Sequence, residues 1–157
     1  MGPAYTVIPA VAEDQKSIRQ LIRAVRINPF GLKWQNFVVI KDDNGRLLAT
    51  GQLKPRRDGS IELASIAVVS SHRKQGLARL IIESLLAQQP PPVYLMCESK
   101  LKVFYEQFGF KQETAVDDLP PFFKRIFKMA QFAQKLSSTP IKLAIMSLRT
   151  NALAKNP

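Results

Sequence analysis

Residues 62–82 have the sequence ELASIAVVSSHRKQGLARLII, which predicts a strand, a short basic loop and a helix. The loop carries Arg73-x-x-Gly76-x-Ala78 where the helix begins. Gly76 has no Cβ atom and Ala78 has no side chain beyond its Cβ, so a ligand can approach the backbone closely. The first N–H groups of a helix lack a partner within the helix and carry the positive end of its dipole. The loop is therefore a candidate site for a phosphate or pyrophosphate group.

The composition is typical of one soluble globular domain. The 157 residues are enough to bury a core, and 46% are hydrophobic and 22% charged. No run of 18 apolar residues predicts a membrane span, and the N-terminus lacks the pattern of a secretory signal. Cys97 is the single cysteine, which excludes an internal disulfide and agrees with a reducing, cytoplasmic location. Because it ends a predicted core strand, we expect a buried structural thiol rather than a nucleophile.

The net charge of +11 predicts attraction to anions, such as a phosphorylated ligand, an acidic protein or nucleic acid. No recognition-helix pattern or platform of aromatic and basic residues is present, so nucleic-acid binding is not favoured. His72 is the only histidine, which excludes a site with several histidine ligands, and we expect no metal.

Turn and helix signals divide the chain into alternating elements. Strands are predicted at residues 5–8, 37–41, 47–53, 61–69, 93–97, 110–112 and 141–148. A first helix is capped by Asp14 and has Ile18, Leu21, Ile22 and Val25 on its apolar face. Further helices are predicted at residues 76–88, 101–108 and 120–136. This order predicts an α/β domain over 1–157 with a mixed sheet covered by helices, a core over about 5–149 and a disordered tail at 150–157.

Three segments resemble, in the same order, the GNAT superfamily of acyl-CoA-dependent N-acetyltransferases. Ile8-Pro9-Ala10 followed by Glu13-Asp14 is similar to the family's opening strand and first helix. Ile66-Ala67-Val68 followed by the loop at residues 73–78 is similar to its acyl-CoA loop. The run at residues 104–110, FYEQFGF, is similar to its late signature. The resemblance covers about residues 5–111 and a final strand at 141–148. It implies one domain with a mixed, mostly antiparallel sheet flanked by helices.

The resemblance also implies how acetyl-CoA is bound. The amides of the loop would bind the pyrophosphate, with added positive charge from the first two side chains; the loop residues are Arg73, Lys74, Gln75, Gly76, Leu77 and Ala78. The backbone of Ile66, Ala67 and Val68 would hydrogen-bond the pantetheine arm, as a ligand that adds to a strand edge. The strands at 61–69 and 93–97 would splay apart and hold the acyl group between them.

Two residues are candidates for the proton transfers that acyl transfer to an amine requires. Tyr105 occupies the position of the family's acid beside the coenzyme A sulfur; the alternative is an aromatic ring that only packs between helix and sheet. Glu62, five residues before Ala67, matches the base of the histone-acetylase branch; the alternative is a solvated glutamate after a turn. Strand alternation places Glu62 on one face with Ala64, Ile66 and Val68. If Glu62 is the base, burial should raise its pKa toward neutrality.

The chain departs from the family pattern at three places. Ser70 stands where proline is common, and Lys74 stands where glycine is common. Glu98 and Ser99 occupy the place of an asparagine that contacts the ligand, so no pantetheine contact is assigned there.

The helix at 122–136 is longer than the family's usual connection before its last strand. Its apolar stripe is Phe122, Phe123, Ile126, Phe127, Ala130 and Ala133, and its basic residues are Lys124, Arg125, Lys128 and Lys135. The simplest interpretation is a helix packed on the sheet with a solvated basic face. The alternatives are that the helix forms a wall of the acceptor site and favours acidic substrates, that it forms a dimer contact, or that it attaches the protein to an anionic surface.

The function that the resemblance implies is transfer of acetyl from acetyl-CoA to a primary amine by direct attack. The alternative is a non-catalytic module that binds acyl-CoA and regulates a protein partner. The acceptor stays open among a protein lysine or N-terminus, a polyamine, an amino acid and an aminoglycoside-like amine. The high positive charge favours neutral or acidic acceptors. The sequence also leaves a homodimer open.

Overall fold

The computed structural model describes Gly2, residues 4–140 and residues 142–150. In this part of the chain there are seven strands: β1 (Ile8–Pro9), β2 (Phe37–Lys41), β3 (Leu47–Pro55), β4 (Ile61–Val68), β5 (Val93–Glu98), β6 (Lys111–Gln112) and β7 (Leu143–Leu148). The same residues form four α-helices: α1 (Gln15–Ala24), α2 (Leu77–Gln88), α3 (Lys102–Glu106) and α4 (Pro121–Leu136). No helix among them has the length and apolar character that a membrane span requires. Ile141, the first residue of the predicted strand at 141–148, lies outside the described residues. So do residues 151–157 of the predicted tail.

The predicted strands and helices all occur, with two larger changes at their ends. β1 covers Ile8–Pro9 rather than residues 5–8 because its pairing with β2 begins at Ile8. It is an edge strand, where the missing N–H of proline is tolerated. α3 is shorter than predicted because the N–H groups of Phe108 and Gly109 bond to carbonyls only three residues back, each at 3.0 Å. Other ends shift by one or two residues, as helix and strand ends commonly do.

The first of two compact units comprises Met1–Lys54 and Leu63–Gln89. Its strands β1, β2 and β3 pair antiparallel in that order, through β1 with β2 and β2 with β3. The predicted turn before Arg46 is confirmed: Gly45, with a φ of 78°, donates its N–H to the carbonyl of Asp42 at 2.9 Å. The predicted apolar face of α1 is buried with residues of β2 and β4; the cluster contains Ile18, Leu21, Ile22, Phe37, Val39 and Ala67, with Val25 partly buried beside it.

The second unit comprises Pro55–Glu62 and Pro90–Pro157. β5 pairs antiparallel with β7, and β7 pairs antiparallel with β6. The start of β4 pairs in parallel with β5 at Glu62 and Tyr94. α4 covers this part of the sheet through Phe123, whose ring stacks on Tyr94 with centroids 5.0 Å apart. The strand order β1-β2-β3-β4-β5-β7-β6 confirms the predicted mostly antiparallel sheet flanked by helices, with α4 before the last strand.

The alternation predicted along β4 is interrupted at Ser65. Its φ is 59°, in the left-handed region, whereas strict alternation needs extended backbone at every residue. Within the first unit, Ile66 lies beside Gly51 and near the side chains of α2. Ala67 belongs to the cluster that contains α1. Ser65 therefore departs from the regular extended backbone that the predicted alternation assumes.

The division of α4 into an apolar stripe and a basic face is only partly correct. Phe122, Phe123, Ile126 and Phe127 pack in the core cluster of the second unit as predicted. Ala133 is exposed, and the outward face also carries Met129, Phe132 and Leu136, whose exposed fractions are 60%, 65% and 75%. The solvent face of α4 is thus both basic and apolar.

Asp58 joins the β3–β4 turn to the start of α4. Its Oδ2 accepts the N–H of Phe122 at 2.8 Å, and its Oδ1 accepts the N–H and hydroxyl of Ser60 at 2.9 and 2.6 Å. Burial raises the pKa of Asp58, but the bonds from the Ser60 hydroxyl and from the backbone of Phe122 and Ser60 bring that pKa below its usual value. The ionised carboxylate therefore serves as a cap for α4 that is distant in sequence.

We expect Asp58→Ala to lower the free energy of unfolding by about 1 kcal/mol, the usual cost of losing a helix cap. Urea denaturation at neutral pH measures the change, and Asp43→Ala in the exposed β2–β3 turn is the matched control. A depressed folded-state pKa gives stability that is present above the unfolded value of about 3.9 and is lost as pH falls through the folded value. The difference between wild type and Asp58→Ala should therefore fade in acid, and a constant difference would contradict the capping role.

Candidate functional site

The predicted site residues divide between the two units. Ile66, Ala67 and Val68 lie at the end of β4 in the first unit, followed there by the loop at residues 73–78. Glu62 at the start of β4 and Tyr105 in α3 lie in the second unit.

The loop before α2 has two residues in the left-handed conformation. One turn of 3-10 helix follows β4 at Ser70–His72, then Lys74 has a φ of 62° and Gly76 a φ of 82°. Glycine adopts this conformation without strain, whereas a side chain with Cβ rarely does. This explains why glycine suits the position of Lys74, and it shows that the chain keeps the loop conformation with a basic residue there.

The start of α2 has no side-chain cap. Gly76 precedes the helix and accepts the N–H of Leu80 at 3.1 Å, but no side chain caps the first amides. A Cβ atom added at Gly76 would meet nothing within 4 Å, so the space beside the Gly76 Cα is open. The buried Leu77 anchors the first turn, while Arg73 and Lys74 are exposed. Free amides, open space and two cations are the features that bind a phosphate group at a helix N-terminus.

A contact from the N-terminal segment also fixes this loop. The hydroxyl of Tyr5 donates to Oε1 of Gln75 at 2.8 Å, and the Tyr5 ring lies edge-on to His72 at 6.5 Å. Sequence reasoning missed Tyr5, because nothing local connects it to a residue 70 positions later.

The irregular residue of β4 is held by a buried glutamine from β3. Nε2 of Gln52 donates to the Ser65 hydroxyl at 2.8 Å and lies 3.5 Å from the carbonyl of Gly31. Its Oε1 is buried and has no hydrogen-bond partner among the described residues. A glutamine between the apolar or small residues Gly51 and Leu53 of a predicted strand was the available signal for Gln52.

Tyr105 is a phenol packed among aromatic rings, with a raised pKa. Its ring packs edge-on against Phe104 at 5.1 Å and Phe110 at 6.2 Å. Burial, with a smaller contribution from the charge of Cys97, raises the pKa of Tyr105 to about 12. No described residue hydrogen-bonds to its hydroxyl. The phenol therefore keeps its proton at neutral pH and can donate it to a bound group.

Cys97 is buried, as expected for a structural thiol. Its Sγ lies 3.9 Å from Sδ of Met146. Burial raises the pKa of the thiol, Lys102 lowers it and Glu98 raises it, and the net shift is upward. A thiol that stays neutral at physiological pH is a poor nucleophile.

Glu62 is not the solvated glutamate of the alternative interpretation, because only 4% of the residue is exposed. Nε of Arg56 donates to its Oε2 at 2.7 Å, and Nη2 of Arg56 donates to the same oxygen. The guanidinium of Arg56 also lies over the ring of Phe122, 3.8 Å from the centroid. Arginine stabilises the ionised carboxylate, the form that a general base needs, and opposes the effect of burial. Sequence reasoning missed Arg56, although its place across the Asp58-Gly59 turn from Glu62 was a signal for cross-strand pairing.

A groove of about 550 Å³ lies in the second unit between the β3–β4 turn and the first turn of α4. We call it the arginine groove, and its lining is Pro55, Arg56, Arg57, Asp58, Pro121, Phe122 and Arg125. Another groove of about 480 Å³ lies farther along α4 beside β7, and it contains none of the predicted site residues.

Comparison with known proteins gives one family match and several similar folds. Residues 33–112 match the family described as "Acetyltransferase (GNAT) domain". N-acetylglutamate synthase from Neisseria gonorrhoeae, complexed with coenzyme A and N-acetyl-glutamate, is 14% identical with a TM-score of 0.71, over 95% of this chain and 36% of that one. Rv2747 from Mycobacterium tuberculosis, in complex with CoA and NLQ, is 18% identical with a TM-score of 0.67, over 92% and 98%. ElaA from Escherichia coli is 16% identical with a TM-score of 0.66, over 92% and 99%.

These likenesses are at the level of the fold. The chain spans 36% of the length of the gonococcal synthase but nearly all of the length of Rv2747 and ElaA. The family match includes both the loop before α2 and the signature around Tyr105, so it confirms the family that the sequence motifs predicted.

Proposed function

Because the chain belongs to the GNAT family of acetyltransferases, we propose that it moves acetyl from acetyl-CoA to a primary amine. The observation that carries this proposal is the loop before α2, with its two left-handed residues, uncapped helix amides and open space. In the proposal the amides of residues 73–78 bind the pyrophosphate, and the backbone of Ile66, Ala67 and Val68 binds the pantetheine arm. Arg73 and Lys74 add positive charge beside the phosphates.

Two residues move protons in the proposed reaction. Glu62 accepts a proton from the substrate ammonium, which frees the nitrogen lone pair. The nitrogen attacks the thioester carbonyl, a C–N bond forms and the C–S bond breaks. Tyr105 gives its proton to the departing sulfur. The new amide nitrogen loses its second proton, which restores the Tyr105 phenol through water, and Glu62 releases its proton to solvent. The burial of Glu62, its bond from Arg56 and the retained proton of Tyr105 support these roles.

Attack by the amine is direct in this proposal, without an acetylated protein. The neutral, buried thiol of Cys97 supports direct attack because it removes the single cysteine of the chain as an acetyl carrier. Incubation with acetyl-CoA alone should leave the intact mass unchanged, and initial rates should follow a ternary-complex pattern. An acetylated protein together with ping-pong kinetics would contradict direct attack.

The activity is tested by release of free thiol from acetyl-CoA with a panel of primary amines, the products being identified by mass spectrometry. We expect turnover with at least one amine class. Saturable binding of acetyl-CoA without turnover of any amine would contradict catalysis and favour the regulatory module.

We expect Glu62→Gln to lower kcat by about 100-fold at pH 7, at the lower end of the range for lost general acid–base catalysis. The deficit should shrink as pH rises toward the pKa of the amine, because solution then supplies the free amine without a base. The rate of thiol release between pH 6.5 and 10 measures this. A structural role predicts a deficit that stays constant with pH.

The matched control for Glu62→Gln is Glu83→Gln on the exposed face of α2. It makes the same chemical change outside the second unit and should keep kcat within about twofold, as surface substitutions usually do. A similar loss in both variants would show that charge alone is responsible.

A further inference from the structure

We propose that the arginine groove binds an anionic group of the acceptor, so that the substrate is a primary amine that also carries a carboxylate or phosphate. The inference rests on the acyltransferase function proposed above and adds the substrate class. It draws on residues that the predicted site did not contain: Arg56 and Arg57 of the β3–β4 turn and Arg125 of α4.

The size of the groove suits a small molecule. Its volume of about 550 Å³ lies in the usual range of small-molecule sites. The bond from Phe122 N–H to Asp58 at 2.8 Å joins its two walls, the turn and the first turn of α4. The walls are therefore held together by a specific contact before any ligand binds.

The charges of the groove are not equally available. Arg56 is committed to Glu62 and to the ring of Phe122. Asp58 is committed to Ser60 and Phe122, so the one carboxylate of the lining already has three hydrogen-bond donors. Arg57 and Arg125 are exposed, and neither forms an ion pair with any residue that the structure describes.

Two unpaired guanidinium groups in one concavity favour an anion. Arginine presents a planar set of donors that matches carboxylate and phosphate in a bidentate manner. The backbone N–H of Phe122 is occupied by Asp58, so Arg57 and Arg125 provide the binding chemistry.

The groove is next to the proposed base through Arg56. This residue lines the groove and donates to Glu62 with the same guanidinium. Arg56 therefore both lines the groove and contacts the proposed base. The positive charge of the groove also lowers the local concentration of cationic amines such as polyamines.

The test compares acceptors that differ in one anionic group. Matched pairs are L-alanine with L-alaninamide for a carboxylate, and phosphoethanolamine with ethanolamine for a phosphate. For at least one pair we expect the anionic member to have a kcat/KM at least about tenfold higher. The double variant Arg57→Gln/Arg125→Gln should lose that preference mainly through KM, with acetyl-CoA affinity unchanged.

The control variant is Lys111→Gln/Lys128→Gln, which removes the same charge at two exposed residues outside the groove. It should keep the preference, because long-range attraction by net charge is the only effect that it changes. Turnover without preference for the anionic member, or a preference that survives Arg57→Gln/Arg125→Gln, overturns the inference.

A second measurement separates this inference from the proposed function. Inorganic phosphate and acetate are titrated into the labelled protein, and the backbone N–H signals of Asp58, Gly59 and Phe122 are followed by NMR. We expect saturable shifts with one anion in wild type and none in Arg57→Gln/Arg125→Gln. A protein that binds no acetyl-CoA contradicts the proposed function, and the titration then decides the groove by itself. Absence of saturable shifts with both anions also overturns the inference.

Discussion

Gly76→Glu is expected to abolish measurable binding of acetyl-CoA, with affinity falling at least about 100-fold. The new carboxylate would occupy the open space beside the Gly76 Cα and repel the phosphates that the helix amides bind. Gly76 has a φ of 82°, so the substitution also strains the loop by about 1–2 kcal/mol. Isothermal titration calorimetry of acetyl-CoA against wild type and variant measures the loss.

The chain offers a close control for this substitution. Gly45 has a φ of 78° and, like Gly76, nothing within 4 Å of an added Cβ. Gly45→Glu therefore adds the same charge and a similar backbone strain, but at the β2–β3 turn. It should bind acetyl-CoA like wild type. Equal loss in both variants would attribute the effect to strain or net charge, and unchanged binding by Gly76→Glu would overturn the assignment of the loop.

Features that depend on neighbouring residues could be predicted from the sequence. The β2–β3 turn follows from the Asp43-Asn44-Gly45 sequence, and the start of α2 follows from Gly76 and the apolar residues after it. Their conformations are encoded within a few positions. The family motifs are local in the same sense, since each lies within one loop or helix.

Features that depend on distant residues could not be predicted in this way. The position of Ser65 in the left-handed region has no glycine or turn signal, and it is held by Gln52, 13 residues earlier. Tyr5 reaches Gln75 across 70 residues, and Asp58 reaches Phe122 across 64. Each contact forms only when the fold brings distant residues together, so periodicity and spacing in the sequence cannot predict it.

The environment of Glu62 in the candidate site also depends on residues that are distant in the sequence. The sequence allowed either a buried base or a solvated glutamate, because alternation along β4 does not say what covers the strand. The structure places Arg56 on Glu62 and the ring of Phe122 over Arg56. The first turn of α4, a segment beyond the family's late motif, therefore decides the environment of the proposed base.

Tyr105→Phe is expected to lower kcat by about 100- to 10,000-fold, the range for loss of a general acid. The variant keeps the ring that packs against Phe104 and Phe110 and removes only the hydroxyl, which bonds to no described residue. Acetyl-CoA affinity and the free energy of unfolding should therefore stay close to wild type. Tyr94→Phe, a buried tyrosine in the same unit, is the matched control and should keep kcat within about twofold.

The pH dependence separates an acid from a packing residue at position 105. With its pKa raised to about 12, Tyr105 holds its proton throughout the neutral and mildly alkaline range. The donating form is the one present below that pKa, so wild-type kcat should not fall through ionisation of Tyr105 between about pH 7 and 10. A leaving thiolate with a lower pKa depends less on protonation by a general acid. Acyl thioesters with more acidic thiols should therefore narrow the difference in kcat between wild type and Tyr105→Phe. A gap that is independent of the leaving thiol would mean that Tyr105 positions groups without donating its proton.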